Sequence, residues 1–209
     1  MALFNKEDLG LWRQCLSTDV RPGPALFLDR DGVLVEEINY LHRVEDIRII
    51  TGAPAAVRSA NEIGVPVIVV TNQSGIGRGY FDWAAFAALQ DALVKTFAAK
   101  GAHFDMVLAC AYHVDGEQPY AVPNHTWRKP NPGMLQAAAE SLSLDLSRSW
   151  IVGDSASDIE AGRNAGLAGG VHVLTGHGAR DKALARSMSG ANYQVKTAAN
   201  LAAAVPMIT

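Results

Sequence analysis

The chain has 209 residues, 49% of them apolar and 19% charged, with a net charge of −3. That is enough chain to bury a sizeable core, and it lacks the clustered lysine and arginine of a nucleic-acid footprint. No window is long and apolar enough to span a bilayer, and two cysteines far apart in sequence, Cys15 and Cys110, speak against a secreted disulfide framework.

Residues 1–24 mix Lys6, Glu7, Asp8 and Arg13 with Leu3, Phe4, Leu9, Leu11 and Trp12. They lack the apolar run of a signal peptide and read as an N-terminal extension, a short helix or an ordered arm. Residues 25–209 read as a single domain. Within them, five short apolar runs are expected to be buried strands: Ala25–Leu28, Val65–Val70, Met106–Ala111, Trp150–Val152 and Gly170–Leu174. None alternates cleanly, as expected when both faces of a sheet are covered. Helical patterns lie between and after them. Pro54–Ile63 opens on proline, Asp82–Lys100 on a capping aspartate, and Pro132–Leu144, Asp158–Ala165 and Ala198–Val205 follow. Strands alternating with helices predict an α/β fold with a doubly wound, mostly parallel sheet and no separate cap domain. Two connections, Val35–Ile50 and His113–Arg128, are long for a compact domain, and long loops are more often functional than accidental.

Polar groups gather where the predicted strands end, the side on which doubly wound sheets bind ligands. Asp29-Arg30-Asp31-Gly32 ends the first, Thr71-Asn72-Gln73-Ser74-Gly75 the second, and Gly153-Asp154-Ser155 the fourth, with Asp158 one turn later; Arg128-Lys129-Pro130 closes the long loop after the third. A strand-end carboxylate is anionic at neutral pH and can attack phosphorus. Several carboxylates together make a hard oxygen site suited to Mg²⁺, and a lysine adds positive charge for phosphoryl oxygens. Each piece alone reads as a turn, a cap or a surface charge; all four in this order point to phosphoryl transfer.

These strings resemble the haloacid dehalogenase (HAD) superfamily of phosphatases, and Asn39-Tyr40-Leu41-His42 and Arg128-Lys129-Pro130-Asn131-Pro132 resemble its histidinol-phosphatase and heptose-bisphosphatase branch. The resemblance implies that Asp29 is a nucleophile forming an aspartyl-phosphate and that Asp31 is the general acid and base. Thr71 and Lys129 would hold the phosphoryl group. Asp29, the Asp31 carbonyl and Asp154 would hold Mg²⁺. Glu37, Asn39, Tyr40, Asn72, Gln73, Ser74 and Arg128 would contact the rest of a small phosphorylated metabolite, with a heptose bisphosphate nearer than histidinol phosphate or another phosphomonoester. Asp158 is expected to order its loop and Lys129. His177 lies near the same strand ends, and His172 reads as a structural histidine within a strand.

That branch usually carries a zinc loop of the form Cys-x-His…Cys-x-Cys before Arg-Lys-Pro. Here Cys110 is followed by Tyr112, His125 and Trp127 at the remaining positions. Zinc needs four good ligands, so no structural zinc is expected, and packing of Tyr112, Tyr120 and Trp127 is expected to order the loop. Gly75-Ile76-Gly77-Arg78-Gly79 reads as a mobile loop beside the pocket. No membrane, nucleic-acid or protein partner is evident, and a cytoplasmic location is expected. A phospho-acceptor receiver domain is the alternative of another class; it has no acid at the position of Asp31, is shorter, and lacks the long loop before the lysine.

Overall fold

The computed structural model describes residues 8–208. Seven strands form one sheet in the order β1-β4-β3-β2-β5-β6-β7. They are β1 (Leu11–Cys15), β2 (Leu26–Leu28), β3 (Val67–Asn72), β4 (Met106–Cys110), β5 (Trp150–Gly153), β6 (Gly169–Val173) and β7 (Gln194–Ala198). Only β1 is antiparallel, pairing Leu11 with Cys110 and Cys15 with Met106; the other pairs are parallel. The helices are α1 (Ala53–Glu62), α2 (Ser74–Gly77), α3 (Trp83–Ala98), α4 (Gly133–Leu142), α5 (Ala156–Asn164), α6 (Gly178–Ser187) and α7 (Leu201–Ala204). Asp82 caps α3, accepting from the Ala85 amide at 2.8 Å.

The central strands alternate between two cores. Leu26, Leu28, Val67, Val69 and Val107 face Val57, Phe86, Phe97 and Leu201 of α1, α3 and α7. Phe27, Ile68, Val70, Met106 and Leu108 face Met134, Leu135 and Ile159 of α4 and α5. Burial on both faces is why these strands read as unbroken apolar runs.

The sheet edges differ from expectation. The extension does not form a helix over Leu11–Cys15 but strand β1, whose Trp12 stacks on Trp83 (5.8 Å) and meets Phe86 edge-on (5.2 Å); the part of that reading on residues 1–7 lies outside the described residues. At the other edge, the helix expected over Ala198–Val205 begins only at Leu201, after β7. Edge strands are covered on one side, so Arg13 and Lys196 interrupt their apolar signal. Helix α6 buries only Gly178 and Ala185 and shows no apolar stripe. The run expected to be a loop after Gln73 opens as the single turn α2.

The chain leaves β2 for β3 and β4 on one side, then returns to build β5, β6 and β7 on the other. The connections therefore diverge at the carboxyl end of β2, and a crevice opens there.

Candidate active site

A cleft of about 310 Å³ occupies that crevice. The residues expected in catalysis, metal binding or substrate contact line it: Asp29, Asp31, Glu37, Asn39, Tyr40, Thr71, Asn72, Gln73, Ser74, Arg128, Lys129 and Asp154. Also present are Arg30, Ser155, Ser157, Asp158 and His177.

Lys129 organises the floor. It is 3% exposed, and such a charge is retained in a fold only when paired. Its Nζ lies 2.8 Å from Asp29 Oδ1 and 2.6 Å from Asp158 Oδ1, and donates to the Val70 carbonyl at 2.9 Å. Its backbone is tied to the end of β3 by a reciprocal pair: Asn72 Nδ2 donates to the Lys129 carbonyl (3.0 Å) and the Lys129 amide donates to Asn72 Oδ1 (3.1 Å). Asp158 is doubly committed, since its other oxygen accepts from the Ser155 amide (3.0 Å) and completes a capping box at the start of α5. It thus orders both its helix and Lys129.

Asp31 is held by Arg30, whose Nη2 donates at 2.8 Å, and by Gln73 Nε2 at 3.1 Å. Gln73 also donates to Thr71 Oγ1 (2.8 Å), which links the ends of β2 and β3. Arg30 is fully buried, with its guanidinium carbon 5.5 Å from the centre of the Phe86 ring.

Asp154 is packed from two sides. A Cβ on Gly32, whose φ is +76°, would lie 2.3 Å from Asp154 Oδ2, and one on Gly176 would lie 2.0 Å from it. Only glycine allows both backbones this close. The His177 amide donates to Asp154 Oδ2 at 2.6 Å, and Thr175 Oγ1 donates to the Gly32 carbonyl at 2.5 Å. His172, buried in β6, pairs through Nε2 with the Gly178 carbonyl (2.8 Å) and so anchors the same loop from beneath.

Carboxylate oxygens of Asp29, Asp154 and Asp158 lie within 4.8 Å of one another. Burial raises Asp29 well above the usual carboxylate range; Lys129 opposes this, and Asp158, Asp154 and Asp31 add to it. Burial and Asp158 raise Asp154 to about 7, against the His177 amide and Lys129. Burial and Asp31 raise Glu37, with His177 opposing. One lysine does not balance this much crowded negative charge, and a divalent cation would. The donor set is all oxygen and fits a hard ion such as Mg²⁺.

The rim is aromatic. Tyr40 packs edge-on against Tyr80 at 4.7 Å, and His42 stacks on Phe81 at 5.2 Å, which joins the Val35–Ile50 loop to the segment after α2. Asn39 and Tyr40 both have positive φ, 25° and 63°, the kind of backbone strain that persists where surroundings over-determine it. Arg78 turns away from the cleft, to Asp115 (3.1 Å) and His113. In the loop where the related branch carries zinc, Cys110 is buried with its thiol pushed up to about 12, chiefly by desolvation. The Tyr112 phenol bonds Asp8.

Sequence reading left Arg30 and Ser155 without roles. A charge between two aspartates at the end of an apolar strand, and the Ser155-x-x-Asp158 spacing of a capping box, are the signals that mark them.

Residues 126–202 match the HAD-hydrolase-like family model. Fold and site together define a phosphoric monoester hydrolase of the HAD type. The D-glycero-beta-D-manno-heptose-1,7-bisphosphate 7-phosphatase of Mesorhizobium japonicum is 49% identical over 163 residues, 77% of this chain and 75% of the relative. A D-glycero-D-manno-heptose-1,7-bisphosphate 7-phosphatase of Thermosynechococcus vestitus is 44% identical over 90% of this chain and 96% of its own. The crystal structure of D,D-heptose 1,7-bisphosphate phosphatase from B. bronchiseptica, complexed with magnesium and phosphate, superimposes with a TM-score of 0.74 at 30% identity, covering 88% of this chain and 97% of that one. The chain belongs to the heptose-bisphosphate phosphatase family of HAD hydrolases.

Proposed function

We propose that this enzyme removes the 7-phosphate of a D-glycero-D-manno-heptose 1,7-bisphosphate, in the cytoplasm, with Asp29 as nucleophile. The observation that carries the chemistry is the cleft floor, where Asp29 sits against Lys129 with Asp154 close by; the names of the relatives support the substrate. In this reading an Asp29 oxygen attacks phosphorus and the bond to the sugar oxygen breaks. Asp31 gives that oxygen its proton. A water then attacks phosphorus, Asp31 accepts a proton from it, and the Asp29–phosphorus bond breaks to release phosphate. Lys129 and Thr71 hold the phosphoryl oxygens, and Arg30 and Gln73 fix the Asp31 carboxylate. Mg²⁺ held by Asp29, Asp154 and the Asp31 carbonyl would offset the repulsion between nucleophile and substrate. Glu37, Asn39, Tyr40, Asn72, Ser74 and Arg128 contact the sugar and its second phosphate. No structural zinc is needed in this reading.

A panel of phosphomonoesters with added Mg²⁺ tests the substrate. The heptose bisphosphate is expected to give the highest kcat/KM, and equal turnover of generic phosphomonoesters, or of histidinol phosphate, would remove the assignment.

The raised carboxyls give a second expectation. Groups with a raised pKa favour the fold while protonated, so in metal-free protein this contribution is full below the unfolded value of about 4 and is lost as pH rises through about 7. Mg²⁺ competes with those protons, so its stabilisation grows over the same window. At a concentration of about 100 Kd, Mg²⁺ adds about 2.7 kcal/mol at about pH 7.5 and markedly less at about pH 5. Equal gains at both pH values would contradict a cation bound by Asp29 and Asp154.

A further inference from the structure

Arg128 lines the cleft near Tyr40, and among the described residues no carboxylate pairs with it. Its guanidinium is steered through Nη1, which donates to the Tyr112 carbonyl at 3.1 Å. Tyr112 is fixed at its other end. Its phenol donates to Asp8 Oδ1 at 2.5 Å, and its ring stacks on His125 with centroids 4.3 Å apart. Asp8 Oδ1 also accepts from the Gly10 amide (3.2 Å). A Cβ on Gly10 would lie 2.4 Å from the Tyr112 ring, so the chain entering β1 passes this ring only as glycine. On the far side, His125 Nδ1 accepts from the Trp127 amide (3.2 Å), and the His125 carbonyl accepts from the Arg128 amide (2.9 Å). Both ends of the loop therefore converge on one ring. Burial and Asp8 push the phenol up to about 12, so it stays a donor at neutral pH.

We infer that Tyr112, clamped between Asp8 and His125, is a positioning residue for substrate: it holds Arg128 over the cleft and thereby sets affinity for the group that Arg128 contacts. The clamp joins the segment before β1, remote in sequence, to the specificity wall of the site. The inference rests on the assignment of Arg128 to the substrate, and its test separates the two.

The test is a double-mutant cycle of Tyr112→Leu and Arg128→Gln, read on heptose bisphosphate or, should that reading fail, on the best substrate of the panel. Tyr112→Leu is expected to raise KM about tenfold while kcat changes less than about twofold, the loss of one oriented charged contact. The double variant is expected to have the KM of Arg128→Gln alone, since Tyr112 acts through Arg128. Tyr112→Phe and Asp8→Ala, which keep the ring and remove the phenol–carboxylate bond from either side, are expected to give equal, smaller rises in KM that do not add, and they serve if Tyr112→Leu fails to fold. Additive effects of Tyr112→Leu and Arg128→Gln, a fall in kcat at constant KM, or no change in Tyr112→Phe would overturn the clamp. An Arg128→Gln enzyme with unchanged KM on every substrate would instead overturn the Arg128 assignment beneath it.

Discussion

Asp29→Asn is expected to lower kcat by roughly 10⁴-fold or more, the scale on which removal of a covalent nucleophile is felt, while leaving the protein folded. Asparagine matches the shape of aspartate, and its carbonyl can still accept from Lys129 Nζ, now 2.8 Å from Asp29 Oδ1. Stability should move in the opposite direction to activity. Asp29 is crowded by Asp158, Asp154 and Asp31 and raised by burial, so a neutral side chain relieves repulsion in metal-free protein. The thermal midpoint of Asp29→Asn without Mg²⁺ is therefore expected to equal or exceed that of wild type, and its gain from Mg²⁺ to shrink. A variant that is both inactive and unfolded would not bear on the nucleophile; a folded variant with wild-type turnover would remove it.

Lys129→Met is expected to damage both stability and activity. The ammonium is buried between Asp29 and Asp158 and raised in pKa by both, against its own desolvation. Removing one partner of a buried ionic cluster leaves uncompensated charge and costs about 3–5 kcal/mol. For a chain of this size that lowers the thermal midpoint by roughly 10 °C. The deficit should be larger at neutral than at acidic pH, because protonation of the stranded carboxyls offsets it. Adding Asp158→Asn to Lys129→Met should recover part of the stability, since the two sites share one interaction, without recovering turnover. If Lys129→Met matched wild type in thermal midpoint at neutral pH, the buried cluster would not be the organiser of the floor.

The residues of the cleft were legible in the sequence because their chemistry is local. Asp29, Asp31, Thr71 and Asp154 lie at the ends of apolar runs, where composition reveals the strand, Lys129 closes the long loop before α4, and all five line one cleft. The parallel sheet was legible for the same reason. What escaped was set by partners distant in sequence. Strand β1 exists because Leu11 and Trp12 find the two cores beside β4, whereas Arg13 and Gln14 break its pattern. Strand β7 and helix α6 are covered on one side only, so polar residues fill them. The burial of Arg30 against Phe86 likewise depends on α3, more than fifty residues on.

Acid quenching of wild-type enzyme during turnover, followed by mass analysis of the peptide that contains Asp29, tests the central claim most directly. The proposed mechanism predicts a transient gain of one phosphoryl group on Asp29, lost after substrate is exhausted and absent from Asp29→Asn. Steady turnover with no phosphorylated peptide at any quench time, or with the phosphoryl group on another residue, would contradict it.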